Sequence, residues 1–195
     1  MQYNYCVCTF STPNRELVCK ATNISKEKYC KLHNLQYVFY MLNSYDKHPA
    51  WYKIDFILSL FDKHERLYFI DDDAAFCKYD VNFCQLLSND YDVNIAKTDG
   101  VINTGSFSII RNERTISALK YAATLYDKYK DDLYYEQTAL VEAFKHYNVS
   151  MNFVDDTLIN SSIYTKTSDT IILHLMGKLK DLVNFEYLER IYDLY

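Results

Sequence analysis

Residues 67–73 read LYFIDDD, a continuous apolar run that ends in three aspartates. Such short runs are typical of parallel strands that are covered on both faces. In open α/β sheets, ligands bind beyond the carboxyl ends of the strands, which is where these aspartates lie. Asp71 and Asp73 are separated by one residue and can converge on one cation, and oxygen ligands suit Mg²⁺ or Mn²⁺, which bridge phosphate oxygens. An acidic turn that caps the next element explains the same residues equally well.

Strands and helices alternate along the chain around this run. Apolar runs rich in Tyr, Val and Phe predict strands, and apolar spacings of three and four residues predict helices. The predicted strands are 3–10, 35–42, 67–70, 93–96, 106–110, 151–154 and 171–175. The predicted helices are 15–32, 51–61, 81–87, 113–129, 133–147 and 184–195. This order predicts a single α/β domain over residues 1–195, with a mostly parallel central sheet, right-handed crossovers and flanking helices.

Composition and charge argue against several classes of protein. Hydrophobic residues make up 49% of the chain, enough for a substantial core, and the formal net charge of -5 argues against a general nucleic-acid binder. No apolar stretch approaches the roughly 20 residues that cross a bilayer, so no integral membrane segment is predicted. The N-terminus lacks the positive charge of a signal peptide. The six cysteines form no CxxC pair, and they predict buried, reduced thiols in a soluble cytoplasmic protein.

A second candidate group lies near the end of the chain. His174 closes the apolar run 170–173 and is followed by Gly177 and Lys178. An imidazole at a strand end can supply a third metal ligand. The glycine would let backbone amides approach a diphosphate, and the lysine would neutralise its charge. The alternative is a histidine whose ring is hydrogen-bonded inside the core.

Two polar groups lie between these motifs. Asn103-Thr104-Gly105 precedes the predicted strand 106–110, either as an ordinary turn or as a tight bend that presents polar groups to a sugar. Glu136-Gln137 follows two tyrosines near a predicted helix start, and is either exposed helix polarity or part of the same sugar site.

Several motifs occur in one order between Trp51 and Lys178. They are Trp51-Tyr52-Lys53 at a helix start, 68–74 (YFIDDDA), 102–107 (INTGSF), Arg111-Asn112, Glu136-Gln137 and 174–178 (HLMGK). In this order they resemble glycosyltransferases of the GT-A fold, and among these the family of yeast-type α-galactosyltransferases and plant xyloglucan xylosyltransferases. Each motif alone is weakly specific, and their order gives the resemblance its weight. The resemblance implies a single GT-A, Rossmann-like domain.

The resemblance also implies roles for individual residues. The implied metal ligands, for Mn²⁺ or Mg²⁺, are Asp71, Asp73 and His174. The implied contacts to the diphosphate and to the ribose or sugar of a nucleotide-sugar donor are Lys53, Gly177, Lys178 and Asp72. The implied sugar-site and catalytic residues are Asn103, Gly105, Glu136 and Gln137. The implied backbone contacts to the nucleotide base are Cys8, Thr9 and Phe10.

The implied reaction is the transfer of a sugar from a nucleotide-sugar donor, UDP-hexose, to a glycan or other hydroxyl acceptor. Family membership implies retention of anomeric configuration. An inverting enzyme would need a carboxylate near the acceptor hydroxyl, and Glu136 and Asp155 are candidates. Family members usually have Asp where Glu136 stands. They also carry an anchor and stem that this chain lacks, which predicts a soluble minimal version, bacterial or viral, or a domain of a longer protein.

Two other functions fit parts of the sequence. Residues 69–73 resemble the Asp-x-Asp nucleophile strand of haloacid-dehalogenase-type phosphatases, but Ala74-Ala75 follow where that family has Thr or Val, and the motif lies well inside the chain. A non-catalytic GT-A-like protein that binds a nucleotide sugar or glycan is the other alternative. The complete set of Asp71, Asp73 and His174 argues against such a loss of catalysis.

Overall fold

The computed structural model describes residues 5–98 and 100–175. The strands are β1 (Cys6–Ser11), β2 (Gln36–Met41), β3 (Arg66–Ile70), β4 (Ala74–Phe76), β5 (Val93–Thr98), β6 (Val101–Ile110), β7 (Met151–Val154) and β8 (Ile172–His174). The helices are α1 (Glu16–Leu32), α2 (Tyr52–Leu60), α3 (Glu113–Thr124), α4 (Tyr126–Tyr129), α5 (Glu136–His146) and α6 (Asp156–Ile159). Short 3₁₀ turns lie at Pro13–Arg15, Pro49–Trp51 and Phe83–Leu86.

Six strands form the central sheet, in the order β2-β1-β3-β6-β5-β7. β1 pairs in parallel with β2 and β3, and β5 pairs in parallel with β7, whereas β6 runs antiparallel to both β3 and β5. Five of the six strands therefore point the same way, and their carboxyl ends meet at one edge of the sheet. This confirms the predicted α/β class and the mostly parallel sheet flanked by helices. β4 and β8 form a separate antiparallel pair.

The core is divided by the sheet into two layers. Leu67 and Phe69 belong to a cluster built with α2, α3 and α5, whereas Tyr68 and Ile70 belong to one built with α1 and the β4–β8 pair. Successive side chains of a strand point to opposite faces, so both faces of β3 are covered by apolar groups. This is why the strand before the aspartates has a continuous apolar sequence rather than an alternating one.

The predicted elements differ from the structure in a few places. The predicted helix 81–87 is only the 3₁₀ turn, and the predicted helix 113–129 is interrupted at Leu125, which separates α3 from α4. The three-residue strand β4 was not predicted. Asn103-Thr104-Gly105 lies inside β6, not in a turn before it, and its partner strand shifts register between Ile95 and Ala96. The predicted helix 184–195 lies outside the described residues.

Two further predictions concern the cysteines and the membrane. All six cysteines are buried and free, as predicted. Across residues 5–98 and 100–175, every helix is too short or too polar to cross a bilayer.

Candidate functional site

Asp71 and Asp73 lie in the turn between β3 and β4, at the carboxyl edge of the central sheet. The pairing of β4 with β8 sets Ala74 opposite His174, so the histidine is delivered next to these aspartates. His174 Nε2 lies 3.0 Å from an Asp73 carboxylate oxygen and 3.7 Å from one of Asp71. One ligand atom from each of the three residues falls within 4.8 Å of the others. These residues can hold a metal ion together.

The ring of His174 is oriented by Asn160. Their Nδ1 and Oδ1 atoms are 2.9 Å apart, so Nδ1–H donates to the amide oxygen when Nε2 is left with its lone pair. Such a partner fixes the tautomer in which Nε2 can bind a metal. Asn160 is buried, as is His174. No feature of the sequence indicated Asn160, because the contact depends on how the segment after α6 packs against β8.

The pKa values of Asp71 and Asp73 are shifted in opposite directions. Burial raises the pKa of Asp71, even though the Lys53 ammonium opposes this effect. Burial would also raise the pKa of Asp73, but His174 and Arg15 outweigh it and hold that pKa well below its usual range. Burial would lower the pKa of His174, and the charge and hydrogen bond of Asp73 raise it instead. Asp73 is therefore the more firmly ionised of the two carboxylates.

Gly105 of β6 lies directly against the metal-ligand cluster. A Cβ atom at this position would come within 2.3 Å of the His174 ring and 2.9 Å of an Asp71 carboxylate oxygen. Real Cβ atoms do not approach other atoms this closely, so only glycine fits without displacing the ligands. The Gly105 amide donates to the side chain of Asn103, and its carbonyl accepts from the Asp71 amide. Asn103 and Gly105 thus lie beside the cluster, and their role at a sugar site stays a prediction.

The buried Lys53 ammonium contacts three groups next to the cluster. Its ammonium donates to the Thr104 carbonyl at 3.0 Å, contacts a Glu136 carboxylate oxygen at 2.6 Å and lies 3.3 Å from an Asp71 carboxylate oxygen. Burial would lower the pKa of Lys53, and the two carboxylates raise it instead. A lysine has three N–H donors. All three are directed at protein groups, so Lys53 holds the surrounding residues in place.

The first turn of α5 completes this side of the site. Glu136 is buried against Lys53, and the Gln137 amide oxygen accepts from the Thr104 backbone amide at 3.0 Å. This excludes the alternative of exposed helix polarity for Glu136. Tyr135, just before the helix, has φ of 47°, a conformation that non-glycine residues rarely adopt. Its ring stacks on His48 with centroids 3.9 Å apart, and the strained backbone directs Glu136 inward.

Arg15 occupies the other side of the aspartate turn. Its guanidinium forms two hydrogen bonds with the Asp72 carboxylate, from Nε at 2.7 Å and Nη2 at 2.5 Å, and Nη2 also lies 2.9 Å from Asp73. Ser11 donates a further hydrogen bond to Asp72. Burial would lower the pKa of Arg15, and these carboxylates raise it. Arg15 was not among the predicted site residues, although a cation just after the first strand lies where α/β proteins bind ligands.

A cleft of about 620 Å³ opens in front of these residues. It is bounded by the ends of β1 and β3, the 3₁₀ turn before α2 and the start of α5. Phe10 lines it, as do Ser11 and Thr12, whereas Cys8 and Thr9 are fully buried within β1. The cleft therefore meets the first strand at its last residues. Gly177 and Lys178 lie outside the described residues.

Comparisons with known proteins identify the fold. No protein-family model and no curated protein matches the chain. A glycosyltransferase involved in glycosylation of the major capsid of PBCV-1 superimposes with a TM-score of 0.78 at 15% identity, covering 96% of this chain and 100% of that one. Galactosyltransferase LgtC, in complex with donor and acceptor sugar analogues, gives 0.65 at 11% identity, covering 97% and 94%. Glycosyltransferase GlyE of Streptococcus pneumoniae gives 0.64 at 12%, covering 98% and 64%.

At these identities the likeness establishes the fold alone. The chain has the GT-A fold, and the neighbours that share it are glycosyltransferases.

Proposed function

We propose that this protein is a metal-dependent glycosyltransferase that moves a hexose from UDP to a hydroxyl group of a glycan. The observation that carries the proposal is the Asp71, Asp73 and His174 cluster, which lies beside a 620 Å³ cleft in a GT-A fold. The yeast-type α-galactosyltransferase and xyloglucan xylosyltransferase resemblance rests on the order of the motifs. The phosphatase alternative loses support, because the solved structures that share the fold are glycosyltransferases.

The chemistry of the three ligands suits a particular cation. Two carboxylates and one imidazole form a mixed oxygen and nitrogen set, and Mg²⁺ prefers oxygen ligands alone. We therefore propose Mn²⁺ as the preferred ion, with Mg²⁺ as a weaker substitute. Bound there, a divalent cation would stabilise the charge that builds on the departing diphosphate. The Nδ1 contact of His174 with Asn160 supports this role, because it leaves Nε2 available to the metal.

The surrounding residues have distinct proposed tasks. Arg15 lies at the cleft with a partly exposed guanidinium, and we assign it to the diphosphate of the donor. Lys53 holds Asp71 and Glu136 in position, and it affects binding of the nucleotide sugar through these two residues. Asn103, with its neighbour Gly105, presents polar backbone and side-chain groups beside the metal ligands. The proposed donor site is therefore the predicted one. Among the described residues, however, we assign the main contact with the diphosphate to Arg15 instead of Lys53.

The contacts of two carboxylates support a retaining reaction. Glu136 is buried and paired with Lys53 at 2.6 Å, so it is poorly suited to accept a proton from an acceptor hydroxyl. Asp155 uses a carboxylate oxygen to accept from the Thr157 amide at the start of α6, and it does not line the cleft. Neither carboxylate is free to serve as the general base that inversion requires. In a retaining transfer, the leaving phosphate can accept that proton.

Calorimetric titration of UDP tests the proposal. Wild-type protein is expected to bind UDP with Mn²⁺ and to lose that binding with EDTA. Asp73→Ala and His174→Ala are each expected to weaken Mn²⁺-dependent binding by about 100-fold, because each removes one ligand. Asp80→Ala, which changes a largely exposed carboxylate away from the cleft, is the matched control.

Two outcomes would count against the proposal. If Asp73→Ala and His174→Ala both bind UDP with Mn²⁺ as tightly as wild type does, these residues do not form the metal site. Tight Mn²⁺-dependent UDP binding without hydrolysis of any UDP-hexose, and without sugar transfer, would favour a non-catalytic binding protein.

A further inference from the structure

A second groove lies beside the first turn of α5. It has a volume of about 390 Å³ and is lined by the β5–β6 hairpin, by β7 and by one face of α5. Glu136 lines the catalytic cleft and Gln137 lines this groove, so the start of one helix separates the two. Most lining side chains are apolar, yet Tyr134 and Phe153 are exposed by 48% and 50%. Large apolar side chains exposed together commonly mark a binding surface.

The groove has the chemistry of a saccharide site. Sugar rings present apolar C–H faces together with hydroxyl edges, and they suit aromatic rings bordered by hydrogen-bonding groups. Phe153 and Tyr134 offer the rings, and Gln137 lies at the border nearest the cleft. The Lys97 ammonium lies 5.5 Å from the centroid of the Phe153 ring, so a positive charge borders the ring on the edge strand β7.

The groove lies next to the proposed donor site, across the first turn of α5. Ile102 lines the groove, and Gly105, three residues further along β6, contacts the metal ligands. Three residues of a strand span roughly 10 Å, a separation that an oligosaccharide bridges. Gln137 also hydrogen-bonds the intervening Thr104 amide, so the groove wall and the cluster share one rigid frame.

The charge of the lining favours an anionic sugar. Lys97 and Lys145 both line the groove, and none of the lining residues within 5–98 and 100–175 carries a carboxylate. Neither lysine forms an ion pair with any residue in 5–98 or 100–175. Because the whole chain carries a net charge of -5, this local positive charge is a feature of the groove rather than of the surface as a whole.

We propose that this groove binds the acceptor, a saccharide that carries carboxylate or phosphate groups and stacks on Phe153 and Tyr134. The inference rests on the proposed function, because an acceptor site has meaning only for a glycosyltransferase. It adds the class of acceptor and the residues that select it.

Binding of the full chain to a panel of immobilised oligosaccharides, half neutral and half containing uronic acids, tests this site. Wild-type protein with UDP and Mn²⁺ is expected to bind the acidic members preferentially. Phe153→Ala is expected to weaken that binding by about tenfold, since one aromatic contact is lost. Tyr164→Ala is the matched control, because Tyr164 is 79% exposed and lines neither cavity. UDP affinity, measured on the same Phe153→Ala sample, reports whether the donor cleft is intact.

Each failure points to a different error. If wild-type protein shows no Mn²⁺-dependent UDP binding, the proposed function fails. If UDP binds but Phe153→Ala and Tyr164→Ala capture saccharides equally well, the groove is not the acceptor site. Capture of neutral members alone overturns the anionic acceptor. A Phe153→Ala variant that only converts a dimer into a monomer in light scattering also overturns the proposal, and assigns β7 to self-association.

Discussion

Two cations flank the aspartate turn 71–73, Lys53 at Asp71 and Arg15 at Asp72 and Asp73, and they differ in how much of each cation remains free. Lys53 is buried and directs its ammonium at Asp71, Thr104 and Glu136. Arg15 retains 24% exposure of its side chain, lines the cleft and engages the carboxylates through Nε and Nη2 only. The buried cation therefore stabilises the frame, whereas the exposed one can still contact a ligand. Under the proposed function, the same type of charge serves stability on one side of the turn and donor binding on the other.

The largest expected effect is on stability, from removal of the buried cation. Lys53→Met would remove the buried cation that pairs with Asp71 and Glu136, which costs about 3 to 5 kcal/mol of the free energy of unfolding. Lys47→Met is the matched control, since it breaks a surface pair with Asp55 and should cost at most about 1 kcal/mol. Urea denaturation compares the two. Equal stability of the two variants would contradict the structural role of Lys53.

A third cation, Lys26, sharpens the comparison because it lacks a close carboxylate. Its ammonium donates to the Asp71 carbonyl at 2.9 Å, and burial lowers the pKa of Lys26 to about 8. Between pH 8 and about 10.5, the Lys26 side chain is protonated in the unfolded chain and deprotonated in the folded chain. The free energy of unfolding therefore rises with pH across that window, by up to about 3 kcal/mol. Unfolding of wild type and Lys26→Met at pH 7.5, 9 and 10.5 isolates the effect. Parallel pH profiles would show that Lys26 titrates normally.

Arg15→Lys tests the binding side of the comparison. The variant keeps a positive charge but loses the planar fork, so the affinity for UDP with Mn²⁺ should fall by about 2 kcal/mol, roughly 30-fold. Its stability should change less than that of Lys53→Met. Arg114→Lys, which alters a half-exposed pair with Asp92, should bind UDP as wild type does. If Arg15→Lys loses stability and keeps its UDP affinity, the roles of the two cations are reversed.

The smallest expected effect is on Mn²⁺ binding, from a substitution in strand β6 beside Asp71 and His174. Gly105→Ala places a methyl group where the His174 ring and the Asp71 carboxylate lie, and should weaken Mn²⁺ binding by about tenfold. Gly100→Ala is a useful control, because Gly100 has a positive φ and a Cβ added there would meet no described atom within 4 Å. It should lower stability slightly and leave Mn²⁺ binding unchanged. Calorimetry with Mn²⁺ alone measures both, and equal affinities would show that β6 can move aside.

Much of this arrangement could be predicted from local sequence. The apolar run before Asp71 indicated a doubly covered strand, and the order of the motifs brought His174 to the same group. The predicted elements were less accurate where contacts between distant residues determine the local structure. β4 has only three residues, too few to give a periodic pattern, and Asn103 lies in β6 next to a shift in its register with β5, which local sequence does not reveal.

Arg15 was missed for a related reason. Its significance comes from Ser11 and Asp72, and Asp72 lies 57 positions away along the chain. Glu136 was predicted at a helix start, but its burial follows from the strained Tyr135 and from Lys53. Motif order predicted the three residues that the structure brings together, Asp71, Asp73 and His174, whereas the charge balance around them required the packed structure.

The contact between Asp73 and His174 joins residues that are 101 positions apart. A growing chain thus carries two of the three ligands long before it carries the third. Closing so long a loop costs entropy that only the docked β8 strand can offset, and a bound cation would then stabilise the finished fold by mass action. The proposed metal affinity would therefore be a late event in the synthesis of this chain. Catalytic competence would arrive only with strand β8, as the last described segment takes its place.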